Sequence, residues 1–271
     1  MPRPDPRQLD LFKTPVPPVR PPPSADVERN DPVAPVDPDT LDDAALLEAF
    51  RGSRLTDTQR LADAIALRCP AGWQSAALYV WNRVFGFGHA GPEHRAVLGL
   101  VRDLRGRSVL QELLRRGAVP QGANGDLLRA AAACEHPLPA DVVRSGLHAR
   151  DQELREAAVR IAIASGVEPL ELRPFLTDQV SAVRDLAAIV LAEMGDPDAR
   201  GSLVLSLKAR PSERGLDALA LFADEDAVIQ LGQLARAHPA WAAHIRGLIE
   251  DTAHPKASSI IATLPIATDL S

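Results

Sequence analysis

The side chains able to carry acid–base, metal or nucleophilic chemistry are scattered along this chain. Its seven histidines never fall at His-x-x-x-His or His-Glu-x-x-His spacing, which would aim two imidazoles from one helix face at a metal. His89 and His94 are the nearest pair. Pro92 stands between them, so they do not share a helix face and read as surface residues. Cys69 and Cys134 lie far apart with no Cys-x-x-Cys spacing, and read as buried free thiols in a reducing cytosol. The turn at Gly86–Gly88 lacks the lysine and the flanking strand of a phosphate loop. No Gly-x-Ser-x-Gly marks a nucleophile. The sequence therefore assigns no catalytic residue, no metal site and no cofactor.

Arginine is the one reactive type that clusters. Arg102, Arg105, Arg107, Arg115 and Arg116 fall within fifteen positions, opposed only by Asp103 and Glu112. Helical spacing predicts one face for Arg102 and Arg105, with Arg115 and Arg116 projecting from the end of the next helix. Guanidinium groups gathered in this way can hold the phosphates of DNA. The competing reading is a solvated face whose cations favour helix C-termini. The net charge of −6 argues against a surface built throughout for nucleic acid. Trp73, Tyr79, Trp81, Phe85 and Phe87 form the one dense aromatic region. It reads as core or as the cap of a helical array, the alternative being a stacking surface for a base.

Residues 1–39 cannot supply a core. Prolines stand at 15, 17, 18, 21, 22, 23, 32, 35 and 38, and so little apolar area would be buried that a disordered leader is predicted. Residues 13–39 then act as a semi-stiff spacer of about 3.1 Å per residue. Within this leader lies a small apolar island, Gln8-Leu9-Asp10-Leu11-Phe12. QLDLF resembles the short peptide by which bacterial polymerases and repair proteins dock on the replicative sliding clamp, a pattern of the form Gln-Leu-Ser/Asp-Leu-Phe. All five positions match. The resemblance implies that Gln8 is a polar anchor and that Leu11 and Phe12 fill a hydrophobic pocket. Leu9 would pack partly and Asp10 is tolerated. The alternative is that this island covers a groove on the protein's own folded part.

The elements beyond the leader read as helices throughout, since no sustained β-branched alternation appears. Thr40 is the expected first N-cap, with Gly52 closing that helix. Thr56-x-x-Gln59 predicts a capping box, its helix running to Arg68 before Pro70. Further helices are expected at about 72–85, 92–105, 108–116, 124–136 and 139–149, and later at about 226–238, 239–251 and 256–264.

From residue 124 to 225 the chain repeats. Leu128-Arg129, Leu154-Arg155 and Val183-Arg184 each precede an alanine three places beyond the arginine, with a weaker echo at Arg214. Residues Asp178 to Arg200, DQVSAVRDLAAIVLAEMGDPDAR, resemble a HEAT repeat of the short bacterial kind. The resemblance implies an inner helix opened by the aliphatic-Arg pair, close crossing over small alanines, and a Gly-Asp-Pro turn to the next repeat. It also implies that the repeat arginines pair with acidic residues of neighbouring repeats. The fold expected is all-α: a HEAT-like α-solenoid of antiparallel helix pairs over residues 40–264, with a loose tail at 265–271. A period of this size means that each unit buries its face on its neighbours, with atypical ends.

The two resemblances together imply a non-enzymatic adaptor. It would dock on the sliding clamp through residues 8–12 and contact DNA or a replication or repair protein. One alternative is a HEAT-like DNA glycosylase visiting the clamp, although no position here matches that family's catalytic residues. Another is a HEAT scaffold without a DNA role. No apolar run reaches the length of a membrane span, and a cytoplasmic protein is expected, at the nucleoid when clamp-bound.

Overall fold

A computed structural model of the chain describes residues 36–84, 89–116, 120 and 122–264. The candidate clamp-binding residues Gln8, Leu9, Leu11 and Phe12 lie outside the described residues, as do Phe85 and Phe87.

The described residues form helices and turns, with no β-strand among them. A 3-10 turn at Pro38–Thr40 precedes α1 (Asp43–Gly52), α2 (Thr56–Arg68), α3 (Trp73–Val84), α4 (Pro92–Asp103) and α5 (Arg107–Arg115). Then come α6 (Asn124–Ala133), α7 (Ala140–Leu147), α8 (Gln152–Ile161) and the short α9 (Pro169–Leu172), which runs into a 3-10 turn at Arg173–Thr177. The series closes with α10 (Ser181–Glu193), α11 (Ala199–Ala209), α12 (Glu213–Ala220), α13 (Glu225–Ala237), α14 (Ala242–Asp251) and α15 (Ala257–Ile261).

Even-numbered helices α2 to α14 pack side by side in one row, and the odd-numbered helices pack against that row. The result is an α-solenoid of antiparallel helix pairs. Small side chains allow the close approach within the row: Ala130, Ala131, Ala157, Ala158, Ala187 and Ala188 are all buried. Leu128, Ile161 and Leu191 are among the largest fully buried side chains. Burying each such aliphatic side chain stabilises the fold by about 1.5–3 kcal/mol.

One backbone feature runs through the whole row. Helices α2, α4, α6, α8, α10, α12 and α14 are each followed by a residue of positive φ: Cys69, Arg105, Glu135, Gly166, Gly195, Ala223 and Ala253. From Arg105 onward these residues recur about every 30 positions. The left-handed residue lets the next amide reach back to the helix end. Gly106, His136, Val167 and Asp196 donate in this way to the carbonyls of Val101, Ala131, Ala162 and Leu191 at 2.8–3.1 Å. The repeat therefore extends well before residue 124 and beyond 225, where the sequence pattern is faint.

Several helix starts differ from expectation. Asp42, not Thr40, caps α1, its carboxylate accepting from the Ala45 amide at 2.8 Å. The Thr40 hydroxyl instead donates to the Asp37 carbonyl inside the 3-10 turn. At the start of α2, Leu55 and not Thr56 stands at the N-cap, and the Gln59 amide donates to Asp63 one turn on. The Leu55 amide is taken by the Glu93 carboxylate of α4 at 3.0 Å, a tertiary partner that no local pattern reveals.

Candidate functional site

The five arginines picked out by spacing do not form one patch. Arg102 ends α4 and holds the neighbouring Asp103 through two hydrogen bonds of 2.7 and 3.3 Å. Arg105 does not share a helix face with it, because α4 stops at Asp103 and Arg105 adopts a φ of 48°. Arg107 opens α5 and is exposed. Arg115 and Arg116 share one anion, Glu112, at 2.7–2.8 Å. Arg116 also donates to Asn82 on α3. Hydrogen bonds from both guanidinium groups pull the Glu112 carboxyl down to about 2. That pair of cations is thus largely occupied with its own helix.

Arg102 and Arg105 do meet again on the face of the even-numbered row. They line a cleft of about 560 Å3 between α4, α6 and α8, together with Arg129, Glu153, Glu156 and Arg160. A smaller cleft of about 160 Å3 adjoins it between α2, α4 and α6, walled by Gln59, Arg95, Gly99, Arg102, Asp126 and Arg129. Arg102 and Arg129 belong to both. Positions 95, 99 and 102 are spaced as one helix face, a signal hidden in the sequence because Arg95 stands seven positions before the arginine cluster.

The two clefts differ in charge. In the larger one four carboxylates, Asp103, Glu135, Glu153 and Glu156, balance four arginines, Arg102, Arg105, Arg129 and Arg160. Three arginines face one aspartate in the smaller. Arg129 is held by three carboxylates, Asp151 at 2.6 Å, Glu153 at 3.3 Å and Asp126 at 3.5 Å, although its buried Nε makes no hydrogen bond. Arg95 is exposed, and its guanidinium has no hydrogen-bond or ion-pair partner among the described residues.

The repeat arginines follow the expected pattern in part. Arg129 and Arg155 reach forward to Asp151 and Asp178 of the next pair. Arg155 grips Asp178 with bonds of 2.9 and 3.0 Å and also donates to the carbonyls of Ala149 and Arg150. Arg184 repeats the carbonyl half of that arrangement, on Asp178 and Gln179. The acidic half is missing because Ser212 occupies the N-cap of α12, where α8 has Asp151. Arg214 reaches backward to Glu193. In the Gly195-Asp196-Pro197 turn, Asp196 is buried and receives Arg173 at 2.8 and 3.1 Å.

The aromatic and thiol assignments separate likewise. Trp73 and Trp81 belong to the core, whereas Tyr79 is 54% exposed. His94 is not a surface residue but 1% exposed, with its ring 4.9 Å from Trp81 in an edge-to-face contact. Its Nδ1 accepts from the Gly91 amide at 3.1 Å, and burial pushes its pKa below the ordinary histidine value. Both cysteines are free. Cys134 is buried as expected, but Cys69 is exposed because it occupies the left-handed turn after α2. The described residues contain no cluster of metal-ligating side chains, and none of their helices is long and apolar enough to cross a membrane.

Comparison of the chain with protein-family models, with curated proteins and with solved structures finds no match in any of the three.

Proposed function

We propose that this chain is a non-catalytic adaptor of the HEAT-repeat kind. It docks on the bacterial replicative sliding clamp through Gln8, Leu9, Leu11 and Phe12, and its helical array contacts DNA or a replication or repair protein. The observation that carries the reading is the five-residue match of QLDLF, set in a proline-rich leader. Aromatic and aliphatic anchors entering a desolvated pocket concentrate binding energy in few residues. A peptide on a semi-stiff tether raises the local concentration of whatever it carries. The helical array is compatible with such a role, since stacked helix pairs present an extended binding surface.

Replacing Leu11 and Phe12 together with alanine tests the docking. Titration calorimetry against the clamp is expected to show affinity falling at least about a hundredfold, the loss of two buried anchors. Unchanged affinity in the double variant would remove the reading.

A further inference from the structure

Gly99 occupies the middle of α4, where glycine costs about 1 kcal/mol relative to alanine. Nothing in the fold asks for it. Its φ is not positive, and a Cβ built there meets no atom within 4 Å. Gly201 and Gly247 are equally unobstructed, so openness alone identifies nothing. What distinguishes Gly99 is its setting, a wall of the small cleft that it shares with Arg95, Arg102 and Arg129.

We propose that this cleft between α2, α4 and α6 is a phosphate-binding site, and that its ligand is a phosphodiester of a nucleic-acid backbone. A glycine lets a ligand approach the helix surface closely, because no side chain stands between them. Arg95 projects there with all its donors unused. Arg102 spends its Nε and one terminal nitrogen on Asp103 and keeps the other free. Planar guanidinium groups match the oxygens of a phosphate. Asp126 is the one carboxylate lining the cleft, and it lies 3.5 Å from Arg129. None of the lining residues is aromatic, so contact is with backbone phosphate and not by base stacking, and sequence preference is expected to be slight. In the neighbouring cleft four carboxylates balance the four arginines, so the uncompensated cation lies at the α2–α6 end of the row.

This inference rests on the DNA-contact half of the proposed function and is independent of the clamp. The test uses the full chain without clamp, with a fluorescein-labelled 20-base-pair duplex and, separately, tripolyphosphate as a competitor. Anisotropy at low salt is expected to show duplex binding that weakens as salt rises. Gly99→Glu places a carboxylate on the open wall, its Cβ meeting no atom within 4 Å, and binding is expected to fall at least about tenfold. Arg95→Ala is expected to weaken binding and lower the salt slope by about 1. Gly99→Ala is expected to weaken binding measurably but less than Gly99→Glu, because its methyl group stands where the ligand approaches and carries no charge, and melting curves confirm that each variant is folded. Displacement of the duplex by tripolyphosphate supports the site. Binding of tripolyphosphate without duplex would overturn the assignment to nucleic acid. Binding of neither probe, or a Gly99→Glu variant that binds as the parent does, would overturn the site.

Discussion

Gly146 and Gly99 both stand inside helices, yet their substitution by alanine should act in opposite directions. A Cβ on Gly146 would lie 2.3 Å from Leu128 Cδ2 and 3.1 Å from the Ala158 methyl, where α7 crosses α6 and α8. Overpacking of that order destabilises by about 1–3 kcal/mol. Gly99→Ala meets nothing and should stabilise by about 1 kcal/mol, a contrast that chemical denaturation can read directly. The arginine ladder is a second residue-scale matter. The side chains of Arg155 and Asp178 are only 14% and 10% exposed, so Arg155→Ala leaves a carboxylate without its partner at the junction of two helix pairs. The expected cost is about 3 kcal/mol. The bond from Arg155 holds Asp178 below its ordinary value of 3.8, and that from Arg173 does the same for Asp196. A carboxyl with a depressed folded-state pKa contributes stability that is full above the unfolded value and lost as pH falls through the folded one. Melting temperature should therefore decline below about pH 4, and the Arg155→Ala variant should show a shallower decline.

At the scale of elements, the left-handed residue after each even-numbered helix is the unit that repeats most regularly. Ala223 and Ala253 adopt φ values of 51° and 48° and are exposed, conformations that cost an L-residue about 1–2 kcal/mol. Part of that gain is offset by the greater chain entropy of glycine. Ala223→Gly and Ala253→Gly should each stabilise by about 0.5–1 kcal/mol and raise the melting temperature by roughly 1–4 °C. The same turns explain what the sequence left hidden. Helical class and the pairs between 124 and 225 were legible from the aliphatic-Arg-Ala pattern and from Gly195-Asp196-Pro197, where glycine marks the turn openly. At Cys69, Arg105, Glu135, Ala223 and Ala253 the same turn is made by residues that carry no turn signature, so the period was invisible there. A tertiary partner accounts for the start of α2, since Glu93 rather than a local cap satisfies Leu55. Within the small cleft, Arg102 was legible as a cation, but Arg95 and Gly99 were not. Their importance comes from the approach of α2 and α6, which spacing along α4 does not contain.

For the whole molecule, the row of helix pairs and the leader divide the work proposed here. In the proposed role, residues 8–12 are the address, a reading that rests on the sequence QLDLF alone. The solenoid supplies surface, with an excess of arginine in the cleft at its α2–α6 end and balanced charge in the cleft beyond. Because each pair contacts chiefly its neighbours, a change at one junction should perturb stability locally and leave the leader's docking intact. The measurement that bears most directly on the central claim is calorimetric titration of the sliding clamp with a peptide of residues 1–20, alongside the full chain and its Leu11→Ala/Phe12→Ala variant. The peptide is expected to bind, the full chain to bind at least as tightly, and the variant to lose binding. A peptide and full chain that bind no better than the variant would contradict the claim.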